Sequence, residues 1–137
     1  MDKYIEEGAL RLEWQDFPYL GQESVNASLA ARAAQEQGKF WEYHDILYEN
    51  QGAPNSGVFS DENLLRFARE AELDLELFEE SLRSGRYEPV VQRIFREALE
   101  TGIPGTPTLV VNGRPLVGAQ PSEVFERVIE KEAEGAS

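Results

Sequence analysis

The chain has 137 residues, 41 % of them hydrophobic and 28 % charged, the composition of one globular domain with enough length for a hydrophobic core. Its net charge of −13 opposes the phosphate contacts on which nucleic-acid binding rests, and it opposes anionic membrane surfaces. The absence of cysteine excludes a disulfide framework and leaves no thiolate for thiol–disulfide exchange.

Residues 2–7 read as the last turns of a helix stopped by Gly8, and the Met1–Ile5 spacing continues an apolar stripe from upstream. The chain is therefore expected to begin inside an element. Its first eight residues lack the apolar core of a signal peptide, and no apolar run approaches the roughly 18 residues of a membrane span. As written, it reads as cytosolic. Leu10, Leu12 and Trp14 share one face of an expected strand, which Pro18 ends because it cannot donate to a ladder.

A helical block follows. Ser24 to Gln37 is an alanine-rich helix with Val25, Leu29 and Ala33 on one face and Gly38 as its stop. Phe40 to Gln51 is a second helix dense in aromatics, and Gly52 to Gly57 is a loop by composition. Ser60 caps a helix from Asp61 to Ala71, and Asp74 caps another to Arg83 with Leu77, Phe78 and Leu82 inward and Gly85 beyond it. Val91, Ile94, Phe95 and Ala98 give a further amphipathic helix ended by Gly102. Thr108–Val111 and Arg114–Val117 form a hairpin across Asn112-Gly113, a two-residue turn signal. A last helix from about Pro121 to Lys131 turns Val124, Phe125, Val128 and Ile129 inward.

Few residues here carry chemistry. His44 is the single histidine and stands among aromatics, which suits a packed side chain better than a catalyst. No second His and no Cys exists to build a transition-metal site, and the acids lack calcium-loop spacing, so no metal or cofactor is expected. The sharpest position is Thr106-Pro107. An X-Pro bond prefers trans by only about 0.5–1 kcal/mol, so this peptide is either an ordinary loop proline or a cis proline entering a strand. In the second case the backbone of Thr106 lies at a sheet edge, where an extended polypeptide can add as a strand.

Gly105-Thr-Pro-Thr-Leu-Val-Val-Asn-Gly113, followed by Leu116-Val-Gly-Ala-Gln-Pro121, resembles the cis-proline hairpin of DsbA-type oxidoreductases in the thioredoxin superfamily. Three further stretches agree in order: Arg11 to Gly21, Gly38 to Gln51, and Phe59 to Leu65. The resemblance implies an α/β, thioredoxin-like fold with an inserted helical domain at about residues 22–101 of a single partial domain, N-terminally incomplete. It implies a cis Thr106–Pro107 bond and carries over Thr106 and Pro107 as substrate-binding residues, with no catalytic residue. The family's leading strands and Cys-x-x-Cys helix have no counterpart in this sequence. The expected function is that of a homologue of enzymes of dithiol–disulfide exchange, itself redox-inactive as written. The alternatives are a redox-dead module that holds an extended polypeptide, and a glutathione-dependent isomerase-like relative. In the thioredoxin arrangement one strand separates Leu10–Gln15 from Thr108–Val111. Without it two edges face each other unpaired, so a homodimer is expected, with neither nucleic acid nor membrane as partner.

Overall fold

A computed structural model describes residues 2–53 and 55–135. Met1 of the expected upstream stripe and Pro54 of the expected loop lie outside the described residues. The chain forms seven helices and one hairpin among those residues: α1 (Asp2–Glu6), α2 (Gln22–Glu36), α3 (Phe40–Glu49), α4 (Asp61–Glu70), α5 (Leu75–Ser84), α6 (Glu88–Glu100), β1 (Thr108–Val111), β2 (Arg114–Val117) and α7 (Ser122–Gly135). They fall into two compact units, residues 16–97 and residues 1–15 with 98–137.

The first unit is all helical. Helix α2 packs against α3, α4 and α5, and its buried face is Ala30, Ala31, Ala33 and Ala34. Side chains this small let backbones approach closely, and the large side chains that fill the space come from the partners: Tyr43, Leu64, Phe67 and Phe78, each at most 1 % exposed. Burying one such aromatic contributes roughly 1.5–3 kcal/mol relative to leaving it in water. The helix ends are locally specified. The Ser60 hydroxyl accepts from the Asn63 amide at 3.3 Å and the Asp74 carboxylate from the Leu77 amide at 3.2 Å. Gly85 closes α5 in the left-handed region at φ 64°. At Gly21, φ 112° and the Asn55 side chain packed where a Cβ would stand together require glycine.

Two side chains between α2 and α3, Gln37 and Lys39, reach the chain between α4 and α5. The Gln37 amide donates to the Asp74 carbonyl (3.1 Å) and accepts from the Asp74 amide (2.8 Å), so one side chain satisfies both backbone groups at the start of α5. Lys39 Nζ donates to the carbonyls of Ala71 and Glu72 just past α4, where a cation also complements the helix dipole.

Two expectations fail in this unit or beside it. Leu77 is 50 % exposed rather than inward; the phase of α5 buries Phe78 and Ser81 instead, with Leu82 half-buried. The expected strand through Leu10, Leu12 and Trp14 does not form. Arg11 and Glu13, two residues apart, still pair as same-side neighbours of an extended chain do. Yet no ladder partner meets that segment among the described residues, and a strand exists only through its ladder.

In the second unit, α1 is a five-residue helix whose Tyr4 hydroxyl donates to a Glu130 carboxylate oxygen on α7 at 2.8 Å. That bond raises the Tyr4 phenol to about 12, with burial and the neighbouring carboxylates adding to it. Helix α7 lies on β1, and Glu132 reaches Arg114 at 3.0 Å and Asn112 at 3.5 Å.

Candidate functional site

Three local devices position Thr106. Helix α6 ends in a Schellman motif: Gly102 at φ 85° donates to the Leu99 carbonyl (3.1 Å), and Ile103 donates to the Ala98 carbonyl (3.0 Å). The Thr108 hydroxyl then donates to the Gly105 carbonyl at 2.7 Å, closing a turn around Thr106 and Pro107. Finally the Gly118 amide donates to the Pro107 carbonyl at 2.8 Å, which anchors the turn to β2. The Thr106–Pro107 peptide is cis, and both residues are exposed.

The register of the hairpin decides which backbone groups face outward. Its pairs are Thr108 with Val117, Leu109 with Leu116, Val110 with Pro115 and Val111 with Arg114. Hydrogen-bonded and non-hydrogen-bonded pairs alternate in an antiparallel ladder. The Gly118–Pro107 bond fixes the phase, so Leu109 and Val111 spend their amides on β2. The N–H and C=O groups of Thr108 and Val110 therefore point away from β2. Thr106 precedes the strand across the cis peptide, in the exposed turn. Among the described residues no strand pairs with that side of β1. On β2 the outward positions are Pro115, which has no N–H to offer, and Val117, whose carbonyl accepts from the Gln120 side chain at 3.1 Å. Thr106 lies two residues before the outward groups of β1.

The sequence reasoning placed Thr106 and Pro107 here but overlooked Thr108 and Pro115. A proline inside a strand marks an edge, and that signal was legible. His44 lies elsewhere, on α3, half-buried against Tyr48 (4.6 Å between ring centroids) and Trp41 (5.1 Å), with Nδ1 3.0 Å from the Asp45 carboxylate. Among the described residues no group of three or more His, Cys, Asp or Glu side chains is arranged to hold a metal ion, and no helix is long and apolar enough to cross a membrane.

A strand–turn–strand hairpin entered through a cis proline, backed by a C-terminal helix and joined to a helical unit, defines a thioredoxin-type fold. The thioredoxin family matches residues 1–131, and the chain belongs to that family. Within it, the similarities are to its DsbA-like members. The chain is 28 % identical over 116 residues to a probable disulfide bond formation protein D of Bacillus anthracis, covering 82 % of this chain and 54 % of that protein. It thus spans about half the length of that relative. A Na(+)/H(+) antiporter NhaA 3 of Salinispora tropica shares 40 % identity over 88 residues, 64 % of this chain and 13 % of the antiporter. Among solved structures, a thioredoxin-like oxidoreductase from Silicibacter pomeroyi superposes with a TM-score of 0.74 at 27 % identity, covering 88 % of this chain and 66 % of that one. The thiol-disulfide exchange protein alpha-DsbA2 from Wolbachia pipientis superposes at 0.82 and 23 % identity, over 95 % of this chain and 69 % of its own, and supports the fold.

Proposed function

We infer that this chain is a DsbA-like, thioredoxin-fold binding module that holds an extended polypeptide at Thr106-Pro107 and performs no dithiol–disulfide exchange by itself. The observation that carries the reading is the exposed Thr106-Pro107 turn directly preceding the outward backbone groups of Thr108 and Val110. An extended polypeptide satisfies such groups by strand addition, and main-chain hydrogen bonds make the interaction tolerant of sequence. Redox inactivity follows from chemistry: exchange needs a thiolate to attack and a thiolate to leave, and the chain has no cysteine. A relative named as a probable disulfide bond formation protein supports a protein chain as the substrate class.

The test has two arms. Fluorescence anisotropy with a labelled, unfolded, carboxymethylated protein should rise on adding the chain, and Thr106→Glu, an exposed substitution in the turn before β1, should abolish the rise. Reduction of a disulfide-bonded protein by dithiothreitol should proceed at the same rate with and without the chain. No anisotropy change, or an identical change with Thr106→Glu, would overturn the binding site; catalytic acceleration of reduction would overturn the second half.

A further inference from the structure

We propose that Asn112, at the tip of the hairpin, is a site of spontaneous covalent modification, where the folded turn converts the side-chain amide to an aspartyl or isoaspartyl residue. The Gly113 backbone nitrogen attacks Asn112 Cγ, and the new N–Cγ bond closes a succinimide ring as the Cγ–Nδ2 bond breaks and ammonia leaves. Water then opens the ring. Opening at the side-chain carbonyl gives aspartate, and opening at the main-chain carbonyl gives isoaspartate. Water is consumed and ammonia released in equal amounts, with no oxidant and no cofactor.

The surroundings single out Asn112 among the chain's asparagines. It alone precedes a glycine, whereas Ala27, Gln51, Ser56 and Leu64 follow the others and bring a Cβ beside the attacking nitrogen. Apart from its chain neighbours, nothing lies within 4 Å of where a Gly113 Cβ would stand. The ladder pairs Val111 with Arg114, which leaves the Gly113 amide outside it, and among the described residues that amide donates no hydrogen bond. Both turn residues are exposed, in the left-handed region at φ 47° and 85°. The Asn112 side chain makes a long contact, Nδ2 to Glu132 at 3.5 Å. Elsewhere the amides are held harder. Asn50 donates to the Ile46 carbonyl at 2.8 Å, Asn63 to those of Gly57 and Val58 at 3.2 and 3.1 Å, and Asn55 accepts from the Glu23 amide at 3.3 Å. Asn26 lies within α2.

The two products differ in what they do to the hairpin. Aspartate keeps the left-handed backbone, which Asp tolerates as Asn does, and sets a carboxylate beside Glu132, already paired with Arg114 at 3.0 Å. Isoaspartate runs the main chain through the former side chain and lengthens a two-residue turn, and that turn sets the register of β1 on β2. The proposal is independent of what Thr106 binds.

The test is to hold the folded chain in warm, mildly alkaline buffer and follow it by anion exchange and peptide mapping. A species richer by a single negative charge should grow in, map to Asn112, and contain both aspartyl and isoaspartyl forms. Its rate should rise in proportion to hydroxide, because the Gly113 nitrogen gives up its proton to attack. Asn112→Gln, which would have to close a larger ring, should form none. Amide exchange at Leu109 and Val111 should quicken in the separated isoaspartyl fraction and stay unchanged in Asn112→Asp. Four results would overturn the proposal. They are a folded chain that stays intact while a urea-unfolded sample converts, earlier conversion at another asparagine, aspartate formed without isoaspartate, and a rate indifferent to pH. Unchanged exchange in the isoaspartyl fraction would overturn the effect on the register.

Discussion

Asp16 is the side chain whose loss should be felt most, relative to its size. It lies in the irregular segment before Pro18, is 2 % exposed, and its Oδ2 takes both Nε (2.8 Å) and Nη2 (2.6 Å) of Arg32 on α2. The Arg32 side chain is itself only 12 % exposed and gives Nη1 to Gln35 at 3.0 Å. Asp16→Ala leaves a guanidinium in a nearly dry site with the Gln35 side chain as its acceptor. Breaking a buried ion pair from one side costs about 3–5 kcal/mol, and the surviving Gln35 contact places this case near 3. With a urea slope of about 2 kcal/mol/M the unfolding midpoint should fall by roughly 1.5 M. Replacing both partners removes the stranded charge, so Asp16→Ala with Arg32→Met should recover at least half of the loss. Urea titrations of the four proteins, followed by circular dichroism, measure it. A loss below about 0.5 kcal/mol for Asp16→Ala, the range of an ordinary surface change, would refute the reasoning, as would a double variant with the sum of both single losses.

Tyr4→Phe should destabilise the contact between α1 and α7. Because the folded phenol titrates at about 12 against an ordinary 10, the contribution is whole below pH 10 and is lost as pH rises through about 12. The difference in melting midpoint between wild type and Tyr4→Phe should accordingly close over that window. Phe78→Ala should cost about 3–5 kcal/mol in denaturant titrations, whereas Leu77→Ala beside it should stay within about 0.5. Gln37→Ala removes the acceptor of the Asp74 amide and one of two donors to the Asp74 carbonyl, which keeps the Phe78 amide, and should cost about 1 kcal/mol by the same measurement.

What the sequence revealed and what it hid divide along the range of the interaction. The hairpin Thr108–Val111 with Arg114–Val117 is where the sequence placed it, because Asn112-Gly113 specifies the turn and the turn specifies the register. Ser60, Asp74, Gly85 and Gly102 act as the caps and stops they read as, since a cap engages its own first or last turn. The failed strand at Leu10 to Trp14 had the right alternation, but pairing depends on a distant segment that alternation does not reveal. Leu77 misled because an amphipathic helix with Leu at two neighbouring phases does not say which of them meets α2 and α4. The Asp16–Arg32 pair left no pattern at all: a loop carboxylate and a helical arginine sixteen residues apart look solvated until packing buries them. Thr106 and Pro107 were legible through resemblance. Their setting, with Thr108 closing the turn and Pro115 on the outward side of β2, needed the register.

The central claim, that Thr106 and the β1 edge receive an extended chain, is tested most directly by titrating an isotope-labelled sample with an unlabelled, carboxymethylated, unfolded protein and following its amide resonances. The account predicts saturable shifts concentrated at Gly105, Thr106, Thr108 and Val110, with α3 and α4 unmoved. Shifts centred on the helical unit, or none at the hairpin up to millimolar ligand, would contradict it.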